Sequence, residues 1–141
     1  MATATAHSTS GPRARVSART VGWVLTALVS AFLLFDGVSH ITRPAAVTEY
    51  AAEHGLTDSM MVTIGIVMLA CLALYLVPAT AILGAVLLTG YLGGAVWENM
   101  RSEAPIASTV LFPIYVGVVV WGALALRDAR IRHLVGRSPR R

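Results

Sequence analysis

The sequence predicts an all-α protein: a four-helix transmembrane bundle with both termini in the cytoplasm. Three observations carry that reading. The 141 residues are 56% hydrophobic and only 13% charged, with a mean hydropathy of +0.70. A water-soluble domain this short needs far more polar surface. The basic charge gathers in two tails that flank the apolar runs. Divided where it must fold back, the apolar sequence makes four spans, and an even number returns both Arg-rich tails to one side of the bilayer.

The elements follow in order. Residues 1–19 are rich in Ala, Ser, Thr and Arg without periodicity, which predicts a disordered cytoplasmic tail. The first span covers about 21–39. A signal peptide also has a basic segment followed by an apolar one. This run is longer than signal peptides use, and no clean small-x-small site follows it, so a retained helix is expected. Residues 40–58 read as a polar loop, with Pro44 at its start and Arg43 opposing Glu49, Glu53 and Asp58.

From Ser59 to Trp97 the chain carries no charge over 39 residues. A single helix of that length would be about 58 Å long, twice the thickness of a bilayer core. It must fold back, and Pro78 marks the turn. The second and third spans are therefore expected at about 59–77 and 79–97. The fourth covers about 105–126, with Pro105 in its first turn and Pro113 kinking its interior. The membrane domain is thus 20–132, followed by a basic cytoplasmic tail at 133–141. Arg dominates from residue 127 onward, whereas the 40–58 and 98–103 loops hold one Arg each. The positive-inside rule places those loops outside.

Several function classes drop out. The net charge of +4 and pI near 10 do not argue for nucleic acid, because the charge flanks the spans. Cys71 is the only cysteine, so neither an internal disulfide nor dithiol redox chemistry is available. It reads as a small buried apolar residue. His7 and His133 fall in the tails and His54 in the outer loop, which leaves only His40 near a span. That is too few donors for haem or for a metal at Asp36, His40 and Glu98. No phosphate loop, nucleophile motif or complete catalytic set is visible. Trp23, Trp97 and Trp121 read as interfacial anchors.

Two features of the third span remain. The stretch GAVLLTGYLGGAVWENMR (84–101) carries Gly84, Gly90, Gly93 and Gly94. Lipid tails are as apolar as Leu, so membrane helices associate by close packing and hydrogen bonds, and small residues permit the approach. These glycines, with Ala85 and Ala95, are expected to pack against the chain's other helices. A homodimer face is the alternative.

The stretch then ends in polar groups, as does the first span. Asp36, His40 and Arg43 share one helical face; Tyr91, Gly94, Glu98 and Arg101 share another. If those faces meet, Asp36, His40, Tyr91, Glu98, Asn99 and Arg101 line a polar pocket at the outer mouth. Two readings stand. One is a structural rim in which Asp36 or Glu98 pairs with Arg101 or Arg43. The other is a ligand or proton site, because ionisable groups at membrane depth are costly and Asp36 precedes His40 by one turn.

Three segments also carry a resemblance. PATAILGAVLLTGYLGGAV (78–96), followed by Arg101 and Pro105, FLLFDGVSHI (32–41) and LFPIYVGVVVWGALALRDARIR (111–132) resemble the DoxX-like family of small bacterial membrane proteins. The resemblance spans most of residues 20–132 and implies a four-helix bundle in the bacterial inner membrane. The family takes its name from a subunit associated with a quinone-reducing sulfur oxidoreductase. This implies an accessory or subunit role beside a membrane redox partner. Relatives often carry His where this chain has Asn99, and Asn cannot titrate. The rival functions are a quinone or small-ligand site at the polar pocket, with Asp36 and Glu98 as proton acceptors, and a small dimeric carrier.

Overall fold

The structure, a computed structural model, describes residues 17–131. His7, His133 and most of both tails lie outside that range. In chain order the elements are α1 (Ala18–Thr42), α2 (Ala45–Glu53), α3 (Asp58–Leu76), α4 (Ala81–Arg101), a π-helical turn (Ile106–Val110) and α5 (Phe112–Arg127). The described residues contain no strand. Four segments are long and apolar enough to cross a bilayer: Ala18–Thr42, Asp58–Leu76, Ala81–Arg101 and Ile106–Arg127.

Local chemistry sets the ends. The Ser17 hydroxyl accepts from the Thr20 amide at 3.2 Å and opens α1. Thr57 does the same for Met60 and opens α3. Both supply an acceptor to an otherwise unpaired first-turn N–H. Pro44 disfavours helix at the preceding residue. Arg43 ends α1 in a left-handed conformation at φ 50°, a common helix C-terminal arrangement, with its N–H bonded to the Ser39 carbonyl. The fold-back falls at Val77–Thr80, on Pro78, where the Thr80 hydroxyl donates to the Leu74 carbonyl at 2.8 Å.

The bundle is a ring. α1 packs on α3 and α5, and α4 packs on the same two helices. α1 and α4 therefore stand on the diagonal. Leu33, Met68, Leu72, Leu88, Val120 and Leu124 fill the centre. Their burial does little to draw helices together in lipid, so close backbone approach and polar links matter more. A Cβ on Gly22 would lie 2.7 Å from the Arg127 amide nitrogen, and one on Gly65 the same distance from the Gly37 carbonyl. A Cβ on Gly84 would lie 2.5 Å from the Tyr75 Cα. Hydrogen bonds also cross between the long α-helices. Tyr75 donates to the Val120 carbonyl at 2.9 Å, and Trp121 donates to the Thr89 hydroxyl at 2.9 Å. Arg127 donates to the Tyr75 carbonyl at 2.7 Å, one of the carbonyls that the end of α3 leaves without a helical partner.

The structure corrects four expectations. Residues 40–58 are not simply a loop, because 45–53 form α2. Its Ala51 is buried, and Gly55, at φ +70°, makes the turn towards α3. The third span ends at Arg101 rather than near 97, since its polar last turn is held by side-chain bonds. Ser102 donates to the Glu98 carbonyl at 2.8 Å. The fourth run is not one kinked α-helix. A π-helical turn precedes α5, and Pro113 occupies the first turn of α5, where a missing N–H is tolerated. Trp121 is not only an interfacial anchor, because its indole N–H donates to the Thr89 hydroxyl and links α5 to α4.

The end holding Ala18, the Val77–Thr80 turn and Arg127 is tightly tied. Arg127 lies over the Trp23 and Tyr75 rings, and Arg130 donates to the Pro78 carbonyl at 2.8 Å. Arg130 also donates to Asp128 at 2.8 Å. This hydrogen bond holds the Asp128 carboxyl below the usual carboxylate range. The opposite end, beside α2, is more open and contains the site.

Candidate functional site

A cavity of about 550 Å³ occupies the α2 end of the bundle. Its walls come from every long helix: Phe32 and Leu33 of α1, Met61 and Ile64 of α3, Gly90 and Gly94 of α4, and Phe112 and Val116 of α5. Tyr50 of α2 and Leu56 add to the lining. Phe32 and Phe112 meet edge to face, with ring centroids 5.5 Å apart. Most of the lining is apolar or aromatic, with a few polar groups: the composition of a small-molecule site.

Five of the six pocket residues expected from sequence line this cavity: Asp36, His40, Tyr91, Glu98 and Asn99. Arg101 does not. It lies outside and grips Glu98 with two bonds, Nε to Oε2 at 3.0 Å and Nη2 to Oε1 at 2.6 Å. Its Nη2 also donates to the His54 carbonyl at 2.8 Å, which ties the α2–α3 connection to the end of α4. Arg43 also stands apart, paired with Asp58. The rim pairing of Glu98 with Arg101 is therefore present, and Asp36 takes neither Arg.

The sequence leaves open how the two polar faces meet. α1 and α4 are diagonal, so their polar faces do not pack together. They face each other across the cavity.

Two side chains have their orientation fixed by local bonds. His40 Nδ1 lies 2.8 Å from the Asp36 backbone carbonyl. A carbonyl can only accept, so Nδ1 is the donor in this bond. The Asp36 carboxylate is 3.8 Å from the same Nδ1.

Asn99 donates to the Thr109 carbonyl at 3.0 Å. In a regular helix that carbonyl would accept from residue 113, which here is proline and has no N–H. Asn99 supplies the missing donor. This role is not visible in the sequence, because it depends on α4 lying beside the π-helical turn.

The glycines of α4 divide into two groups. Gly84 packs within the chain against the Tyr75 backbone. A Cβ at Gly90, Gly93 or Gly94 would meet nothing within 4 Å, so the expectation that these three pack within the chain is corrected. α3 and α4 touch at the turn end. Towards α2 the cavity separates them, with Met61 and Ile64 on one side and Gly90, Gly94 and Glu98 on the other. Gly90 and Gly94 thus make room rather than contact. The close-packing glycines missed in the sequence are Gly22, Gly37 and Gly65. They carry no motif spacing, so no signal distinguished them.

Among the described residues no group of three or more His, Cys, Asp or Glu could hold a metal ion. Cys71 is buried in the core as a free thiol.

A model of the DoxX-like family matches residues 24–123. The chain belongs to the DoxX-like family. Together with the four apolar helices, this makes it a small, multi-pass integral membrane protein in contact with the lipid bilayer. The match covers all the cavity-lining residues named above. No curated protein and no solved structure matches the chain.

Proposed function

We propose that this DoxX-like protein is a small membrane subunit that holds a lipid-soluble ligand of the quinone class, beside a membrane redox complex. The observation that carries the reading is the cavity itself. It is large enough for a substituted aromatic ring, is walled by Phe32, Phe112 and aliphatic side chains, and is polar at Asp36, His40, Tyr91 and Glu98. A quinone ring needs apolar faces and hydrogen-bonding partners for its oxygens, which is the balance small-molecule sites provide. Tyr91 is the neutral donor. Asp36 and His40, 3.8 Å apart, take up the two protons of the reduced ring as the neighbouring redox complex takes its two electrons. Glu98 is already engaged by Arg101 and orders the rim. The subunit role is the one that the family resemblance implies.

Gentle purification followed by organic-solvent extraction and mass spectrometry tests this. Quinone is expected near one per chain in the wild type and is expected to be lost in Asp36→Asn. A wild-type extract without quinone would sink the quinone reading. A partner protein co-purifying at fixed ratio is the expected sign of the subunit role.

In the proposed topology the N-terminus, the Val77–Thr80 turn and the C-terminal segment face the cytoplasm, with α2 outside. Arg127 and Arg130 at the turn end support this under the positive-inside rule. Cysteine labelling checks it in a Cys71→Ala background. In intact cells Glu53→Cys is expected to react with a membrane-impermeant maleimide, and Ala129→Cys only after lysis. The reverse pattern would invert the protein and place the cavity on the cytoplasmic side.

A further inference from the structure

The cavity's surroundings are unequal. Towards the α2 end it is covered by Tyr50 and Leu56, and the α2–α3 connection is tied down by the bond from Arg101 to the His54 carbonyl. Towards the centre it is closed by the bundle core. On the side of α4 the cover is missing. Gly90 and Gly94 line the cavity, are exposed, and would have nothing within 4 Å of an added Cβ. Trp97, on the same side of α4, lines the cavity yet is 64% exposed. Phe32 and Phe112 also line the cavity and are partly exposed, at 40% and 46%, but their rings meet edge to face across the α1–α5 side, so the side without such a cover is the one beside Gly90, Gly94 and Trp97. These positions lie within a membrane span, so the mouth opens on lipid.

We propose that the cavity is loaded sideways from the bilayer, through a portal between α3 and α4 that Gly90 and Gly94 keep open. The inference rests on the ligand-site reading above and narrows the ligand's chemistry. The occupant is a membrane-dissolved amphiphile whose polar head travels inward to Asp36 and His40 while its tail stays in lipid. A water-soluble metabolite would have to pass the α2 cover instead. Glycine suits the portal because any side chain at positions 90 and 94 would project into the gap. Gly93 lies elsewhere on the helix and does not line the cavity, so it supplies an internal control.

The test uses the full chain in lipid nanodiscs, with a diazirine-bearing long-chain alcohol dissolved in the bilayer. After photolysis, peptide mapping locates the adducts. Leu33 and Met61 are the reporters. Both line the cavity and are only 1% and 2% exposed, so they are labelled only by a probe that has entered. Labelling at both is expected in the wild type and in Gly93→Leu, with loss at both in Gly90→Leu and Gly94→Leu. Leucine is a far better helix former than glycine, so the variants are expected to fold, and their unfolding temperatures check this. No labelling of Leu33 and Met61 in the wild type overturns the portal. So does unchanged labelling in both the Gly90→Leu and Gly94→Leu variants. Quinone content is measured on the same samples. Interior labelling without any quinone supports the portal and sinks the quinone reading. Quinone retained together with unchanged labelling in both variants does the opposite.

Discussion

Gly84→Ala is expected to unfold the bundle or to cost about 3 kcal/mol, the upper end of ordinary overpacking effects. The added Cβ would sit 2.5 Å from the Tyr75 Cα and 2.7 Å from the Leu74 carbonyl carbon. Both are backbone atoms in the middle of α3's last turns, so no rotamer change relieves the contact. α3 and α4 must move apart where they are joined by the tight Val77–Thr80 turn. That movement threatens the Thr80–Leu74 bond and shifts Tyr75, whose hydroxyl holds the Val120 carbonyl and whose own carbonyl accepts from Arg127. The same substitution at Gly94 is expected to leave stability unchanged or raise it by up to ~1 kcal/mol, the helix-propensity gain of Ala over Gly. Thermal unfolding in detergent, followed by loss of the monodisperse peak, compares the two. Equal damage from both substitutions would refute this division of the glycines.

Asn99→Ala is expected to cost about 1 kcal/mol, the net worth of an ordinary hydrogen bond, since the acceptor is only part-buried. The acceptor is the Thr109 carbonyl, deprived of a helical donor by Pro113. This explanation makes a sharper claim than the single variant does. In Pro113→Ala, residue 113 gains an N–H that can serve the Thr109 carbonyl, and Asn99 becomes dispensable. The double variant should therefore be more stable than the two single effects predict, with a coupling of about 1 kcal/mol, within the range for residues sharing one network. Equilibrium unfolding in mixed micelles measures the four corners. Additivity to within about 0.5 kcal/mol, the behaviour of independent sites, would remove the link between Asn99 and Pro113. Asn99→Asp is a further control, because a carboxylate keeps the size but lacks the donor.

These cases show what was legible in the sequence. Asp36, His40, Tyr91, Glu98 and Asn99 could be singled out because polar groups near the ends of apolar spans stand out against their surroundings. The cavity they line was not legible in the same sense. The sequence implies a pocket only if the two polar faces meet, and it does not show that α1 and α4 stand on the diagonal with the cavity between them. The glycine-rich stretch was conspicuous, but its function was divided. Gly84 packs, while Gly90 and Gly94 leave space. α2 was obscured because a nine-residue helix with mixed polarity looks like a loop.

The sequence by itself determined the class, the number of spans and the position of the fold-back. Those depend on apolar length against bilayer thickness and on where proline and charge interrupt it, all of which are properties along the chain. Only the tertiary structure decided the neighbour order, which glycines touch a backbone, and that Asn99 completes the hydrogen bonding around Pro113. Each depends on which helix faces meet. The spans are apolar on nearly every side, so hydropathy does not choose among the faces. The choice falls to close backbone contacts and a few cross-helix hydrogen bonds, made between residues far apart in sequence.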